Sequence, residues 1–385
     1  MQRTPCQLPH RRSQSGFSFI ELLVVMGAMA VLMGLAVGYL TNVGKGSEMA
    51  QARRLIVETA RRCVNASMGN QRAFFVLRAG DANTDMRLEA GIARTVLTHQ
   101  FEDLTFASGA RTPFVEGSVK LAKGEGHTGS GAKFSGGTIK FSPESLFAMT
   151  EGLQFEAWIK PESGASTMAL VRGTSNTGEI VYSIELSRSG NAPAYDVRLR
   201  MRLRGTGDSV RTAGDYKSFV TEGAPVPADG RAWTNVAVDY DGREVSVAVG
   251  GIPVPMRAAD LKPIEGEAGG PRRIAVPVTG TVSLAIGGSY RGMMDRFILR
   301  GVFRSSENDM ELPGRLEVIQ PAMPVRVEYI NGRLGGGAGS DVTIWFRDLA
   351  HPDDMPLRLT LGRAGTVEAQ YVDSAPASAE KGDAK

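Results

Sequence analysis

The chain has 385 residues, a formal net charge of +3, and 22% charged against 42% hydrophobic residues. That near balance excludes the strongly basic surface that nucleic acid demands, so no nucleic-acid partner is expected. Two cysteines exclude a disulfide framework, while the length allows two or three domains.

Residues 1–16 are polar, basic and contain Pro5 and Pro9. From Leu22 to Gly44 there is no charge, and about 20 apolar residues are enough to cross a bilayer as a helix. The span is placed at about residues 20–44, inside a long helix predicted over 17–67. Arg3, His10, Arg11 and Arg12 precede the span and Lys45 follows it. That excess keeps the N-terminus cytoplasmic and puts the bulk of the chain outside the inner membrane. One residue breaks the apolar pattern. Glu21 stands at its head, where a carboxylate costs on the order of 3 kcal/mol on insertion scales and needs a partner. An amine four residues earlier, freed by cleavage after Gly16, would supply one.

Basic leader, Gly16, Phe17, Glu21 and apolar helix together resemble the signal of type IV prepilins and type II secretion pseudopilins. The resemblance covers Met1 to about Arg62. It implies cleavage after Gly16 by a prepilin peptidase, methylation of Phe17, and a Glu21 that pairs with the N-terminus of a neighbouring subunit. The implied partners are that peptidase, other pilin or pseudopilin subunits and the inner membrane. The implied destination is a pilus or pseudopilus. An ordinary signal anchor carrying a stray glutamate is the plainer alternative. A secretory signal peptide fits worse, because the apolar run is long and no small-residue cleavage site closes it.

Beyond the span, Met49, Ala52, Ile56, Ala60, Cys63 and Val64 follow helical spacing, with Arg and Glu on the remaining surface. Cys63 falls on the apolar side and reads as a packed thiol; Cys6 lies in the leader and would be removed with it. Residues 68–110 form a connecting α/β region. Its expected elements are a strand over Arg72–Arg78 and a helix over Asp85–His99, from the four-residue spacing of Leu88, Ile92 and Val96.

From about 111 to 305 the sequence reads as successive strands with no intervening helix. Tyr195 to Arg204 alternates Val197, Leu199, Met201 and Leu203 with Arg198, Arg200, Arg202 and Arg204. Valine-rich runs flank Asp241-Gly242, a hairpin signal. Abundant glycine (47 residues) and alternation point to an antiparallel sandwich. Phe155-Glu156-Ala157-Trp158-Ile159-Lys160-Pro161, Trp233 to Gly242, and Ile286-Gly287-Gly288 followed by Gly292 to Phe297 resemble the strands of laminin-G-like, concanavalin A-type jelly rolls. Further short strands over 312–372 form a small C-terminal β appendage, and 373–385 is a polar tail expected to be disordered. The fold class expected is thus a long N-terminal α-helix followed by an all-β jelly-roll sandwich with that appendage.

Three chemistries are open. Asp239 and Asp241 share a strand face and are the one carboxylate pair placed for glycoside hydrolysis, although Asp241 has a turn to make. Glu265/Glu267 and Asp353/Asp354 are assigned to loops. Asp295 is a candidate calcium ligand by analogy with related jelly rolls, against a plain role in holding backbone; no other cofactor is expected. Arg198, Arg200, Arg202 and Arg204 form a stripe suited to a polyanion such as acidic polysaccharide, or simply to a solvated face that resists sheet aggregation. Trp158 and Trp233 are expected in the core. The expected function is a non-enzymatic pilin-like subunit that displays its head for adhesion or glycan binding. The alternative is a membrane-anchored periplasmic glycan-binding protein or glycoside hydrolase that does not polymerise.

Overall fold

A computed structural model describes residues 26, 29, 48–68, 71–79, 86–104, 113–188, 192–204, 215–223, 225–242, 244–256, 273–274, 280–304, 309–313, 315–335, 341–349 and 355–374. Gly16, Phe17 and Glu21 lie outside these residues, as do both loop carboxylate pairs and the tail. Within the predicted span, Met26 and Met29 are helical and exposed. Among the described residues, no helix is long and apolar enough to cross a membrane.

The described part of the helix runs over 48–66. Met49, Ala52, Ile56, Ala60, Cys63 and Val64 are all buried, which is the face that their spacing predicts. Alanine at 52 and 60 leaves room for the sheet to approach. The helix stops where Ser67 turns back on it. The Ser67 hydroxyl donates to the Val64 carbonyl at 2.7 Å and accepts the Gly332 N–H at 2.9 Å, satisfying groups that a helix end leaves open.

The jelly roll consists of two antiparallel sheets. One orders the strands Ile252–Val254, Val245–Val249, Thr234–Tyr240, Leu153–Pro161 and Arg291–Phe303. The other orders Asp215–Val220, Ala194–Arg204, Ile180–Ser187, Thr167–Thr174, Val282–Gly287, Thr138–Glu144 and Phe114–Glu116. Alternation aims one side of each strand inward. Phe155, Ala157, Ile159, Val197, Leu199, Met201, Val236 and Val238 share one buried cluster. Each large side chain in it contributes about 1.5–3 kcal/mol of burial.

The described part of the helix expected over Asp85–His99, residues 86–99, is not helical. Arg87–His99 is a 13-residue strand, pairing Arg72–Arg78 on one side and Arg291–Phe303 on the other. Apolar spacing of four fits a strand as well as a helix, because four is a multiple of two. Leu88 and Ala90 face the helix, whereas Leu97 joins the jelly-roll core, so one strand serves both. Gly91 is required here by contact: a Cβ would lie 2.6 Å from the Phe74 ring.

The strands of the expected C-terminal appendage divide between a small sheet of their own and the large sheet of the jelly roll. Val325–Ile330 pairs Arg72–Arg78, with Val327 opposite Phe75, and so extends the jelly-roll sheet. Leu316–Gln320, Val342–Asp348, Leu357–Leu361 and Val367–Tyr371 form a four-stranded sheet. Ile56, Ala60, Phe75, Leu77, Leu88, Val327, Ile344, Phe346 and Leu359 share a second buried core. Arg53 adds a contact from the helix, donating to the Ala369 carbonyl at 2.7 Å. Segments from both ends of the chain thus build one helix-on-sheet layer. The jelly roll is inserted between Arg87–His99 and the C-terminal strands, and its last strand, Arg291–Phe303, hydrogen-bonds that layer directly.

Candidate functional site

The first sheet bends so that Val325–Ile330 brings Arg326 to Asp239 on Thr234–Tyr240, at 2.5 Å, although four strands separate them in the sheet. The side of the sheet opposite both large cores therefore becomes a charged seam. Alternation places Phe74, Val76 and Arg78 on this side of Arg72–Arg78, and Gln154 and Glu156 on this side of Leu153–Pro161. At one end lies Asp241, almost fully buried. Arg78 Nη2 reaches its Oδ2 at 3.2 Å and Arg326 Nη1 at 3.3 Å. Arg304 Nη2 donates to its backbone carbonyl. The Glu244 N–H donates to its Oδ1 at 2.9 Å and closes the turn, where Gly242 has φ +94°. Arg78 also reaches Glu244 at 2.6 Å and Glu89 at 3.4 Å, and Arg304 reaches Glu89 at 2.8 Å. Burial alone would raise the Asp241 pKa; Arg304, Arg326 and Arg78 together hold it below the ordinary value.

Asp239, two residues earlier, behaves in the opposite sense. Burial dominates there and lifts it from 3.8 to about 6, with Arg326 only partly opposing. Its Oδ2 accepts from Gln154 Nε2 at 3.4 Å. Arg72 donates to Glu156 at 3.0 Å and lies 3.9 Å from Glu328. The pair Asp239/Asp241 is on the same face, as expected, but Arg326 bridges the two and Asp241 is held by three arginines. It does not offer two free carboxylates.

Asp295 is fully buried, and both its oxygens hold backbone: Oδ2 accepts the Thr128 N–H at 2.9 Å and Oδ1 the Arg296 N–H at 2.7 Å. It thereby fixes a bulge against Leu153–Pro161 in which Arg296 has φ +50°. No group of three or more His, Cys, Asp or Glu among the described residues could hold a metal ion.

Arg198, Arg200 and Arg202 do share the outer face of Ala194–Arg204; Arg204 is in the strand, but its side chain is outside the described set. The face is mixed rather than basic. Arg202 grips Glu179 through two bonds of 2.8 and 3.1 Å. Glu185 stands opposite Arg198 and pairs with Arg172 at 3.5 Å. Arg200 lies between Ser183 and Ser218.

Trp158 and Trp233 are half-buried rather than packed in the core, because Trp158 shares the outer face with Gln154 and Glu156. The His127 ring stacks on Trp158 at 3.6 Å and meets Trp233 edge-on at 6.3 Å. Cys63 is packed as expected: its thiol donates to the Phe74 carbonyl at 3.4 Å, and burial pushes its pKa up to about 12.

No curated protein matches the chain. Three similar solved structures are domain 4 of a GH43 arabinanase from Geobacillus stearothermophilus in complex with arabinotriose, a sialidase CBM40 from Ruminococcus gnavus bound to sialyllactose, and a Bacillus subtilis protein of unknown function with a galectin-like fold. They are 15, 13 and 12% identical, cover 56, 54 and 55% of this chain and 96, 92 and 100% of their own, with TM-scores of 0.39, 0.31 and 0.32. Residues 11–37, which include Gly16, Phe17 and Glu21, match the family model described as the prokaryotic N-terminal methylation motif. The chain therefore carries the N-terminal motif of prepilin-type proteins, joined to a β-sandwich head.

Proposed function

We propose that this protein is a pilin-like or pseudopilin subunit, cut after Gly16 by a prepilin peptidase, methylated at Phe17 and assembled through its N-terminal helix. The match over residues 11–37 carries the reading. The helix over 48–66 supports it, since its buried face belongs to the core of the head and would transmit the anchor rigidly to it. In this reading the precursor spans the inner membrane once, with its leader cytoplasmic and its head outside, and then enters a pilus or pseudopilus. Glu21 neutralises the amine of a neighbouring Phe17, which offsets the cost of burying a carboxylate among apolar helices. The jelly roll acts as a displayed module for adhesion or glycan binding and is not catalytic. Among the described residues, the carboxylate pair weighed for hydrolysis, Asp239 and Asp241, is bridged by Arg326.

Glu21→Ala tests assembly. Membrane insertion should persist, because the apolar run is intact, while the subunit disappears from sheared fibres. Incorporation at the wild-type level would contradict the assembly role.

A further inference from the structure

The seam contains a cavity of about 150 Å³ whose lining includes Arg72, Gln154, Glu156, Asp239, Ser246 and Arg300. Two modules build it. Arg72 comes from the helix-backed layer, and the other five come from jelly-roll strands in register, with Gln154 facing Asp239 on one side and Arg300 on the other. Arg300 is 8% exposed, yet its Nε and Nη1 have no hydrogen-bond partner in the protein. The nearest carboxylate oxygen, on Glu156, is 3.9 Å away, too far for a hydrogen bond. Arg72 Nε is likewise unmatched, and on the acceptor side so are Gln154 Oε1 and Asp239 Oδ1. Buried guanidinium donors left unmatched are costly, and a native fold keeps them where something else satisfies them.

Each unmatched group has a complement in one kind of ligand. A guanidinium edge takes a planar carboxylate through paired N–H bonds. Gln154 Oε1 and Asp239 Oδ1 accept from hydroxyls. Glu156 and Asp239 repel a dense dianion, so a singly charged group with hydroxyls beside it fits better than sulfate or phosphate. The volume is below that of drug-sized pockets and suits one ring. We infer that this cavity binds a hydroxylated carboxylate of the uronic-acid class, with Arg300 and Arg72 on the carboxylate and Gln154 and Asp239 on the hydroxyls.

One further feature agrees. Burial, followed by the charge of Arg72, lowers the Arg300 pKa to about 10 against the opposing charges of Glu156, Glu328 and Asp239, so an added anion would favour its charged form.

The inference rests on the reading of the head as a binding module. It is tested by calorimetric titration of the full chain in detergent with glucuronate and galacturonate, against methyl glucoside, acetate and sulfate. A uronate should bind at least tenfold tighter than the neutral sugar, acetate or sulfate. Arg300→Gln should weaken it at least tenfold. Ser246→Trp fills the mouth from an exposed position without touching the buried charges, and should do the same with the fold intact. Equal binding of methyl glucoside, unchanged uronate binding in both variants, or no uronate binding would each overturn the site. If a glycan panel still binds the full chain in that last case, the head remains a glycan-binding module with its ligand elsewhere; if the panel fails too, that part of the proposed function fails with it. Processing at Gly16 is read separately by mass and is independent of all these results.

Discussion

The two cores of this protein differ in how far apart in the chain their parts lie. The jelly-roll core is assembled almost wholly from Leu97 to Leu299. The helix-backed core joins Met49–Leu77 and Leu88 to Leu312–Ala369, with the whole jelly roll between them. Apolar burial drives both, but only the second depends on the two flanks of the insertion meeting. The Asp241 cluster fastens the two cores together, because its arginines come from Arg72–Arg78, from the segment after Arg291–Phe303 and from Val325–Ile330. An insertion held by both hydrogen bonding and buried charge is oriented relative to the helix, which a tethered domain would not be.

Asp241→Ala should uncouple the two cores most severely. It leaves Arg78, Arg304 and Arg326 partly buried without their shared carboxylate, and should cost about 3–5 kcal/mol. Chemical denaturation of the full chain in detergent reads the loss; a change below about 1 kcal/mol would mean that the seam does not couple the cores. Phe155→Ala and Ile56→Ala then separate them. Phe155→Ala should cost about 3–5 kcal/mol and Ile56→Ala about 2–5 kcal/mol. Hydrogen exchange should show Ile56→Ala releasing protection first in 48–78 and 316–371. Equal loss throughout the jelly roll would argue for a single inseparable core.

A smaller effect distinguishes the two carboxylates of the seam. The Asp239 pKa is raised on folding, so the folded state holds its proton more tightly than the unfolded chain does. Stability from this group is highest below its ordinary value of 3.8 and declines as pH rises to about 6. The expected loss is about 2 kcal/mol, allowing for its partial exposure. Asp241 has the opposite sign: its contribution is full above 3.8 and is lost as pH falls through its lowered value. Asp239→Asn should therefore remove the decline between about pH 4 and 6 and keep the acid-side loss; a stability profile unchanged in that window would refute the assignment. The smallest effect belongs to Arg202→Ala. It breaks an exposed pair with Glu179 and should change stability by less than about 1 kcal/mol.

What the sequence made legible follows the same division. The jelly-roll strands show through their alternation, and the 48–66 helix through its 3.6-residue spacing, because each pattern is local. Arg87–His99 is open to either reading because Leu88, Ile92 and Val96 satisfy both periods; its pairing with Arg72–Arg78 and Arg291–Phe303 decides it. The fate of Val325–Ile330 was not legible, since its partner Arg72–Arg78 lies on the far side of the insertion. The cavity was hidden for the same reason: Arg72 and Arg300 are distant in sequence and share no motif. Trp158 had a local signal, standing in register with Gln154 and Glu156 on the polar side of its strand, and that signal outweighs its apolar character. Gly16, Phe17 and Glu21 are the reverse case, fully legible as a motif and outside the described structure.

Whether this head rides on a processed pilin-type helix is decided by the intact mass and N-terminal sequence of the protein purified from its native membrane. The purified chain should begin at N-methylated Phe17, with the sixteen-residue leader absent. A chain that begins at Met1, with no added methyl group, would contradict prepilin processing.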